Sequence, residues 1–569
     1  MDKPEACQGC PFFQDGKGFV PDEINPDAKV LIIAQNPGEN EEEKARPMVG
    51  RTGVMMQGWL TPLGLRREQL SLANVIKCRW QRKNYLPEKK TGGFAEITLQ
   101  AAEHCQKAYL QETLKKATPH VTALLGELAL NTVAKREGTG SWRGSVWIGP
   151  KQRKFMALSH PASLFSAPRL RTAMRQDFAR LARESRRPEM EVVYSDVFYQ
   201  AVGVDEFIHL LANLGQSVQR RVALDIETSY AKAVEASLRT IGIGWGKDTA
   251  ANIDFAGLDA AERVRVIEAL SAFPGEWITA TPFDYAVLRK YGVEFNWEKC
   301  HDLTLLHSRF DIELPHTLDF IASMWTERPH WKYLSVSAPY RYNCLDCAGE
   351  YEAFVKLWLH CKVKDPLVLK CYEADRKLTK VAVEFMLNGL PYSPTAYEAE
   401  RAYYGVIRKE LEGEVSASFA PRTAESEFRR SLRCERHPRY TGKSPIGKRK
   451  NESSPCIDCQ AIRQNTLSRK PLNLRSGQQL ARRLREEGMQ VGDSMDKGSV
   501  AKLAKRYNDP RLMRYLEFKQ KDTIVTRYFT NPQVTKKTER IHSTYSMHAA
   551  KHRWSSNGPN AQQFARPED

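Results

Sequence analysis

The sequence predicts a multidomain α/β protein. At 569 residues the chain exceeds what a single hydrophobic core organises, so about three or four domains are expected. Apolar runs of strand length, such as Val30-Leu-Ile-Ile-Ala34, alternate with amphipathic helical stretches. In Arg221-Val-Ala-Leu-Asp-Ile-Glu-Thr228, Val222, Leu224 and Ile226 alternate with Ala223, Asp225 and Glu227, the pattern of a strand that sets two carboxylates on one face.

Composition narrows the partners. A net charge of +18 and a pI near 9.3 call for an acidic partner, and nucleic acid fits because Lys and Arg are spread through the chain rather than gathered on one membrane-type helix. There is no run of about 20 apolar residues. The start Met-Asp-Lys-Pro-Glu is not a signal peptide, so a cytoplasmic protein without a membrane partner is expected. In that reducing compartment the 12 cysteines are read as metal ligands or buried thiols rather than disulfides.

Residues 1–187 read as the first α/β domain. Cys7-Gln-Gly-Cys10 opens it, and the strand Val30–Ala34 ends in the turn Gln35-Asn-Pro-Gly38, where polar groups can face a ligand at a strand's C-terminal end. Asn74-Val-Ile-Lys-Cys78-Arg, a helical Cys105 and the apolar run Phe155–Leu158 closed by Ser-His160-Pro follow. These motifs resemble the family 4 uracil-DNA glycosylases across residues 5–175, implying an α/β/α glycosylase-like fold. Four thiolates suit either zinc or an iron-sulfur cluster; the resemblance implies that Cys7, Cys10, Cys78 and Cys105 hold a structural [4Fe-4S] cluster. It also implies a pocket in which a flipped base is stacked, read by Asn74 and cleaved with help from His160. Two positions depart from the family: Gln35 replaces the turn's Glu and cannot act as a base, and Met48 replaces the stacking Phe. Asn36 is an alternative water-orienting group, because Asn-Pro-Gly also resembles the mismatch-specific uracil glycosylases. Leu181–Pro188 reads as a helix end and linker.

Residues 190–365 form the second expected domain. Asp225 and Glu227 repel one another unless a cation lies between them, and Mg²⁺ suits such hard oxygens. Phe283-Asp284 stands at a strand-to-helix junction, and Tyr342-Asn-Cys-Leu-Asp346 places a phenol and a carboxylate on one helix face. Four acids and a tyrosine suit a two-metal nuclease centre, with Tyr342 orienting the attacking water. The order resembles the proofreading 3′–5′ exonuclease of the DNA polymerase I family (family A). That resemblance implies a ribonuclease H-like fold, catalytic Asp225, Glu227, Asp284, Tyr342 and Asp346, and two Mg²⁺ or Mn²⁺ ions. Ala280 stands where that family has Asn, which bears on substrate positioning. Leu238–Trp245 and Ala251–Phe255 read as a hairpin, Val204–Leu214 as a helix, and Cys344 and Cys347 as ordinary helical thiols.

Residues 366–569 begin with a long amphipathic helix pattern over Leu367–Leu387, broken at Asn388-Gly-Leu-Pro. With Asn473-Leu-Arg-Ser-Gly-Gln-Gln-Leu480 and the basic helix Tyr515–Tyr528, it resembles the mainly helical family A polymerase thumb, implying that Lys519, Lys521 and Arg527 face duplex phosphates. A solvated helix face is the other reading of the same three residues. An insertion at about 430–462 carries Cys434-Glu-Arg-His437 and Cys456-Ile-Asp-Cys459, chelating pairs that suit tetrahedral Zn²⁺. Metal would order a segment whose loop, with Lys443, Lys448, Arg449 and Lys450, lacks a core. Arg553-Trp-Ser-Ser and Pro559-Asn-Ala-Gln resemble the start of the palm, Arg553 standing where the family touches the primer end.

The expectation is therefore the N-terminal part of a family A DNA polymerase acting in DNA replication, of the kind large bacteriophages carry, hence in the host cell cytoplasm. Its partners would be primer-template DNA, single-stranded 3′ ends and a second polypeptide bearing palm and fingers. The chain alone would not polymerise. Two alternatives are a free-standing repair enzyme that combines uracil removal with nuclease trimming, and a non-catalytic base-sensing DNA-binding subunit.

Overall fold

The computed structural model describes residues 3–14, 16–80, 94–217, 221–229, 232–419, 428–434, 463–469, 472–492, 495–529, 534–535, 538–549 and 553–561. The chain forms two compact units, one running to Gly389 and resuming at His542, the other spanning Leu390–Ile541.

The first unit opens with a five-stranded sheet built from β1 (Val30–Ala34), β2 (Leu70–Asn74), β3 (Val121–Leu125), β4 (Val146–Ile148) and β5 (Lys154–Leu158), in the order β2-β1-β3-β5-β4. All neighbours are parallel except the edge strand β4. The apolar run of β1 is explained by its two buried faces: Leu31 and Ile33 join a core with Leu124 and Ala157, while Val30, Ile32 and Ala34 join another with Leu72, Leu125, Met156 and Leu158. Each parallel strand therefore ends on the same edge, where Asn74 closes β2, Gln35 and Gly126 follow β1 and β3 directly, and His160 stands two residues beyond β5.

A six-stranded sheet follows, from β6 (Val197–Tyr199), β7 (Arg221–Thr228), β8 (Leu238–Gly244), β9 (Thr249–Asp254), β10 (Glu276–Thr279) and β11 (Cys300–Asp302), ordered β11-β10-β7-β8-β9-β6. β7 pairs antiparallel with β8 and β8 with β9, whereas β10 lies parallel to β7 and to β11. Val222, Leu224 and Ile226 point into the main core, so Asp225 and Glu227 necessarily face the opposite side. That side is covered by the helix Pro339–Lys364, which approaches closely because β8 offers glycines there. A Cβ on Gly244 would lie 2.7 Å from the Cys347 backbone, and one on Gly242 would collide with Asn343 Oδ1.

The single helix expected over Leu367–Leu387 is instead two helices, Pro366–Asp375 and Thr379–Asn388, joined by the 3-10 turn Arg376–Leu378. The break falls where a distant segment holds the chain: Tyr372 Oη accepts from the Asp302 N–H (3.2 Å), and Arg376 donates to the Glu298 and Cys300 carbonyls (2.9 and 3.4 Å), pinning this stretch to β11 and the turn before it. Tyr372 and, further on, Ala382, Val383 and Met386 enter the cores around the six-stranded sheet. The ribbon of β17 (Thr544–Ala549) and β18 (Arg553–Asn557) also packs there through Met547 and Trp554.

In the second unit the helices Pro394–Ser418, Gly477–Glu486, Lys497–Tyr507 and Pro510–Tyr528 share a core of Leu411, Val415, Leu480, Leu503, Leu512 and Phe518. Arg475 clamps Asp522 at 2.6–3.2 Å. Short antiparallel strands β12 (Leu390–Pro391), β15 (Val534–Thr535) and β16 (Arg540–Ile541) complete it, with the ribbon β13 (Phe428–Cys434) and β14 (Arg463–Arg469). His437, Cys456 and Cys459, and the Cys434 and Arg553 side chains, lie outside the described residues.

The two sheets of the first unit are joined by charged groups, of which the Arg143–Asp177 pair is buried. Arg143 Nε and Nη2 donate to both oxygens of Asp177 (2.9 and 2.7 Å), and its Nη1 donates to Ser323 Oγ (2.6 Å). Glu327 receives Arg180 and Arg183 at 2.5 and 2.8 Å. Burial pushes the Asp177 carboxyl up even against Arg143, so the pair tolerates no missing member. Arg143→Met is expected to cost about 3–5 kcal/mol of stability by leaving an uncompensated buried carboxylate. In urea unfolding the Arg143→Met/Asp177→Leu double variant should regain most of that loss.

Candidate functional site

The acidic centre is assembled by three elements. Asp225 and Glu227 come from β7, and Asp346 from the third turn of Pro339–Lys364; one oxygen from each lies within 4.8 Å of the others. Asp284 is buried in the first turn of the helix Pro282–Lys290, which starts there because Pro282 occupies its first position and Thr281 Oγ1 accepts from the Phe283 N–H (3.3 Å). Repulsion is written into the titration of the group. Asp225 is held well above the usual carboxylate range by burial and then by Asp346, Asp284 and Glu227. Glu227 is pushed up to about 7 by burial and Asp346. Burial takes Asp284 to about 7, against hydrogen bonds from the backbone at Asp284 and Ile226.

Four further residues belong to this centre and were not nominated from the sequence. Asn343 Nδ2 donates to Asp225 Oδ2 (2.7 Å), fixing that carboxylate against the helix. Trp331 Nε1 donates to Asp346 Oδ1 (2.7 Å). Lys332 Nζ donates to both Asp346 oxygens (2.9 Å) and to Tyr342 Oη (2.7 Å). Glu350, one turn beyond Asp346, is fully buried with neither oxygen hydrogen-bonded, and burial together with Asp225 and Asp284 drives its carboxyl far upward. The spacing of Glu350 from Asp346, i to i+4, was its only available signal. Lys332 lies on a separate segment, so no helical spacing pointed to it. Ala280 ends β10's apolar stretch and offers no side-chain donor. Cys344 and Cys347 are fully buried in a small apolar cluster with Ala250 and Ala348.

In the first sheet, the sequence-nominated pocket residues gather at the C-terminal ends of the parallel strands. Gln35 follows β1, and its Oε1 accepts from the Leu128 N–H (3.4 Å) at the start of the helix Glu127–Ala134. Gly126 sits between two of these groups at φ +91°: a Cβ there would lie 2.9 Å from Gln35 Nε2 and 3.2 Å from His160 Cβ. His160 caps the turn Pro161–Phe165, its Nδ1 accepting from the Ala162 N–H (3.2 Å), and burial lowers its pKa to about 4, partly opposed by Glu41. It is therefore neutral at pH 7. Asn74 is buried at the end of β2. Asn36 Nδ2 donates to the Pro37 carbonyl (3.0 Å). Met48, at φ +54°, packs into the apolar core beneath the sheet.

Glu41 was missed by the sequence reading. It is buried and accepts from the Gly38 and Gly50 N–H groups (3.1 and 2.8 Å), tying the turn after β1 to the Met48 loop. Its position three residues after Gly38, where a glutamate reaches back to the helix N-cap, was the available signal.

Cys7, Cys10, Cys78 and Cys105 are buried and near one another, Cys7 and Cys10 acting on the Cys78 thiol and Cys10 and Cys78 on that of Cys105. A hydrogen bond with Cys105 lowers the Cys10 thiol to about 6 while pushing Cys105 upward, and burial raises Cys78 to about 11. Gly16 is needed beside them, because a Cβ there would lie 2.5 Å from Cys78 Sγ. Tyr109 Oη lies 3.1 Å from Cys7 Sγ. Lys519, Lys521 and Arg527 lie on the helix Pro510–Tyr528 of the second unit, with Lys521 Nζ 5.3 Å from the Tyr404 ring centre.

Comparison with known proteins places one part of this architecture. Residues 21–183 match the Uracil DNA glycosylase superfamily. Type-4 uracil-DNA glycosylases are similar over the same region. The protein from Archaeoglobus fulgidus is 27% identical over 187 residues, 31% of this chain and 86% of its own length. The one from Saccharolobus solfataricus is 30% identical over 190 residues, 32% of this chain and 82% of its own. A solved DNA polymerase I POL domain from M. smegmatis, in complex with DNA primer-template and dNTP, aligns with a TM-score of 0.47 and 16% identity, covering 64% of this chain. The chain spans 56% of that polymerase domain's length. Through its N-terminal domain, this chain belongs to the type-4 uracil-DNA glycosylases of the Uracil DNA glycosylase superfamily.

Proposed function

We propose that the chain is the editing part of a family A DNA polymerase, joining a 3′–5′ exonuclease to a glycosylase-like base-recognition domain. One observation carries the exonuclease reading: oxygens of Asp225, Glu227 and Asp346 lie within 4.8 Å of each other, with Asp284 and Tyr342 beside them. An all-carboxylate set in which Asp346, Asp284 and Glu227 push Asp225 up, and Asp346 pushes Glu227 up, fits hard divalent cations such as Mg²⁺ or Mn²⁺. A bound pair of such ions stabilises charge on the attacking and leaving oxygens of a phosphodiester. Asp225, Glu227, Asp284 and Asp346 would hold them. Asn343 keeps Asp225 turned inward. Tyr342, its phenol pushed up by burial and held by Lys332, stays protonated and orients the attacking water.

The same reading gives the chain single-stranded 3′ ends and primer-template DNA as substrates. Lys519, Lys521 and Arg527 bind duplex phosphates, Arg553 touches the primer end, Cys434, His437, Cys456 and Cys459 hold a zinc ion, and the setting is bacteriophage replication in the host cytoplasm. A palm-bearing second polypeptide is its partner, to be sought by co-purification.

In the N-terminal domain the four converging thiols are a soft donor set suited to a [4Fe-4S] cluster, which would tie the N-terminus to the segments around Cys78 and Cys105. Gln35, Asn74 and His160 read a flipped base at the sheet edge. Uracil release is favoured by Glu41, a buried carboxylate facing the neutral His160 where Gln35 itself can take no proton.

Asp225→Ala is expected to slow Mg²⁺-dependent 3′-end degradation of single-stranded DNA by on the order of 10²-fold or more; an unchanged rate sinks the proposed centre. The raised pKa values fix a pH dependence. Carboxyls elevated when folded stabilise below the ordinary carboxylate pKa of about 4 and lose that contribution as pH rises through about 7. Without metal, the melting temperature of the chain should fall between pH 5 and 8, and Mg²⁺ should restore more at pH 8 than at pH 6. Anaerobically purified protein should contain iron and acid-labile sulfide in equal amounts and release uracil from a uracil-containing oligonucleotide, with release lost in His160→Ala. Zinc in place of iron would remove the cluster, and tight binding without release would leave base sensing alone.

A further inference from the structure

Between the helix Leu318–Trp325 and the helix Pro339–Lys364 runs the segment His330-Trp-Lys-Tyr333, whose side chains divide between two domains. Two of them hold the glycosylase-like domain. The His330 N–H donates to Ser145 Oγ (3.0 Å), and the His330 ring meets Trp142 edge-on at 5.0 Å. Tyr333 stacks on the same indole, its ring 5.9 Å from Trp142 at 17°. Arg136 lies over Trp142 at 3.9 Å, fixing the indole from within its own domain. The other two hold the acidic centre. Trp331 Nε1 donates to Asp346 Oδ1, and Lys332 Nζ bridges Asp346 and Tyr342. The Trp331 ring is seated on the catalytic helix at Gly349, where a Cβ would lie 2.8 Å from Cη2.

We infer that His330–Tyr333 is a strut through which the glycosylase-like domain sets the exonuclease centre: Trp331 and Lys332 are positioning residues for Asp346 and Tyr342, and Trp142 and Ser145 hold the strut in register. The inference rests on the exonuclease reading above. Its physical basis is that Asp346 and Tyr342 stand one helical turn apart on a rigid element, so their side-chain torsions are what remains to be fixed. Trp331 fixes one oxygen of Asp346 through a directional N–H, and the Lys332 ammonium locks the phenol to the same carboxylate. The second and third residues of a four-residue segment cannot shift without dragging the first and fourth, which are gripped by the other domain.

The test uses the full chain. Lys332→Met keeps the aliphatic stem and removes the ammonium; Lys332→Arg keeps the charge; Tyr333→Ala removes only a 60% exposed ring remote from the carboxylates. Single-turnover 3′-end degradation at saturating Mn²⁺ and Mn²⁺ affinity by electron paramagnetic resonance are measured together. Lys332→Met is expected to lower the rate on the order of 10- to 100-fold, the effect of misplaced reacting groups, with Mn²⁺ bound at least as tightly as in the wild type. Lys332→Arg should recover most of the rate. Tyr333→Ala should lower the rate several-fold with the melting temperature and Mn²⁺ affinity unchanged.

A faster Lys332→Met would make the ammonium a competitor of the metal and overturn the positioning role. Rates equal to wild type in both Lys332→Met and Tyr333→Ala, while Asp225→Ala is inactive, would overturn the strut and leave the exonuclease standing. Absence of any Asp225-dependent cleavage in the wild type would remove both.

Discussion

Mutual repulsion of carboxylates is the constraint around which the central part of this molecule is arranged. Asp225, Glu227, Asp284, Asp346 and Glu350 are drawn together by a strand and two helices that are themselves secured by apolar packing and glycine-mediated close approach. The fold supplies the energy for this. Val222, Leu224 and Ile226 anchor one face of β7 in a large core, and only because they do can the other face present acids to each other. Protonation or a cation relieves the repulsion, and Lys332 supplies part of the latter from within the chain.

Much of this was legible in the sequence because it depends on local periodicity. The alternation in Arg221–Thr228 gives the strand and the shared face; the four-residue spacing of Tyr342 and Asp346 gives the helix face; Phe283-Asp284 reads as a strand-to-helix junction, and the helix Pro282–Lys290 starts there. The run Val30–Ala34 reads as a strand buried on both sides, and the sheet places its successor Gln35 beside His160, 125 positions later in the chain. What escaped was set by contacts between distant segments. Lys332 and Trp331 matter through their hydrogen bonds to a different element, and Glu41 through two backbone N–H groups it happens to reach. The break at Arg376–Leu378 is likewise imposed by β11, since nothing in the amphipathic pattern of Leu367–Leu387 marks it.

Two candidate sites of opposite character are thus mounted on separate sheets in one compact unit. In the first, parallel strands converge on a neutral imidazole and amide side chains, a surface suited to the polar edge of an uncharged base. In the second, a mixed sheet concentrates negative charge suited to cations and, through them, to phosphate. The contrast in charge separates their ligands without the need for separate molecules.

The Arg143 fork bears on how such a chain can change over time. Two of its nitrogens satisfy Asp177 within one domain while the third reaches Ser323 in the next, and Glu327 answers with two arginines of the first. A recombination event that exchanged the leading domain for a foreign homologue would have to import matching partners at these positions or strand the buried Asp177 or Arg143 without its partner. The lineage is therefore expected to inherit both domains as a block and to diversify instead at the solvent-facing loops.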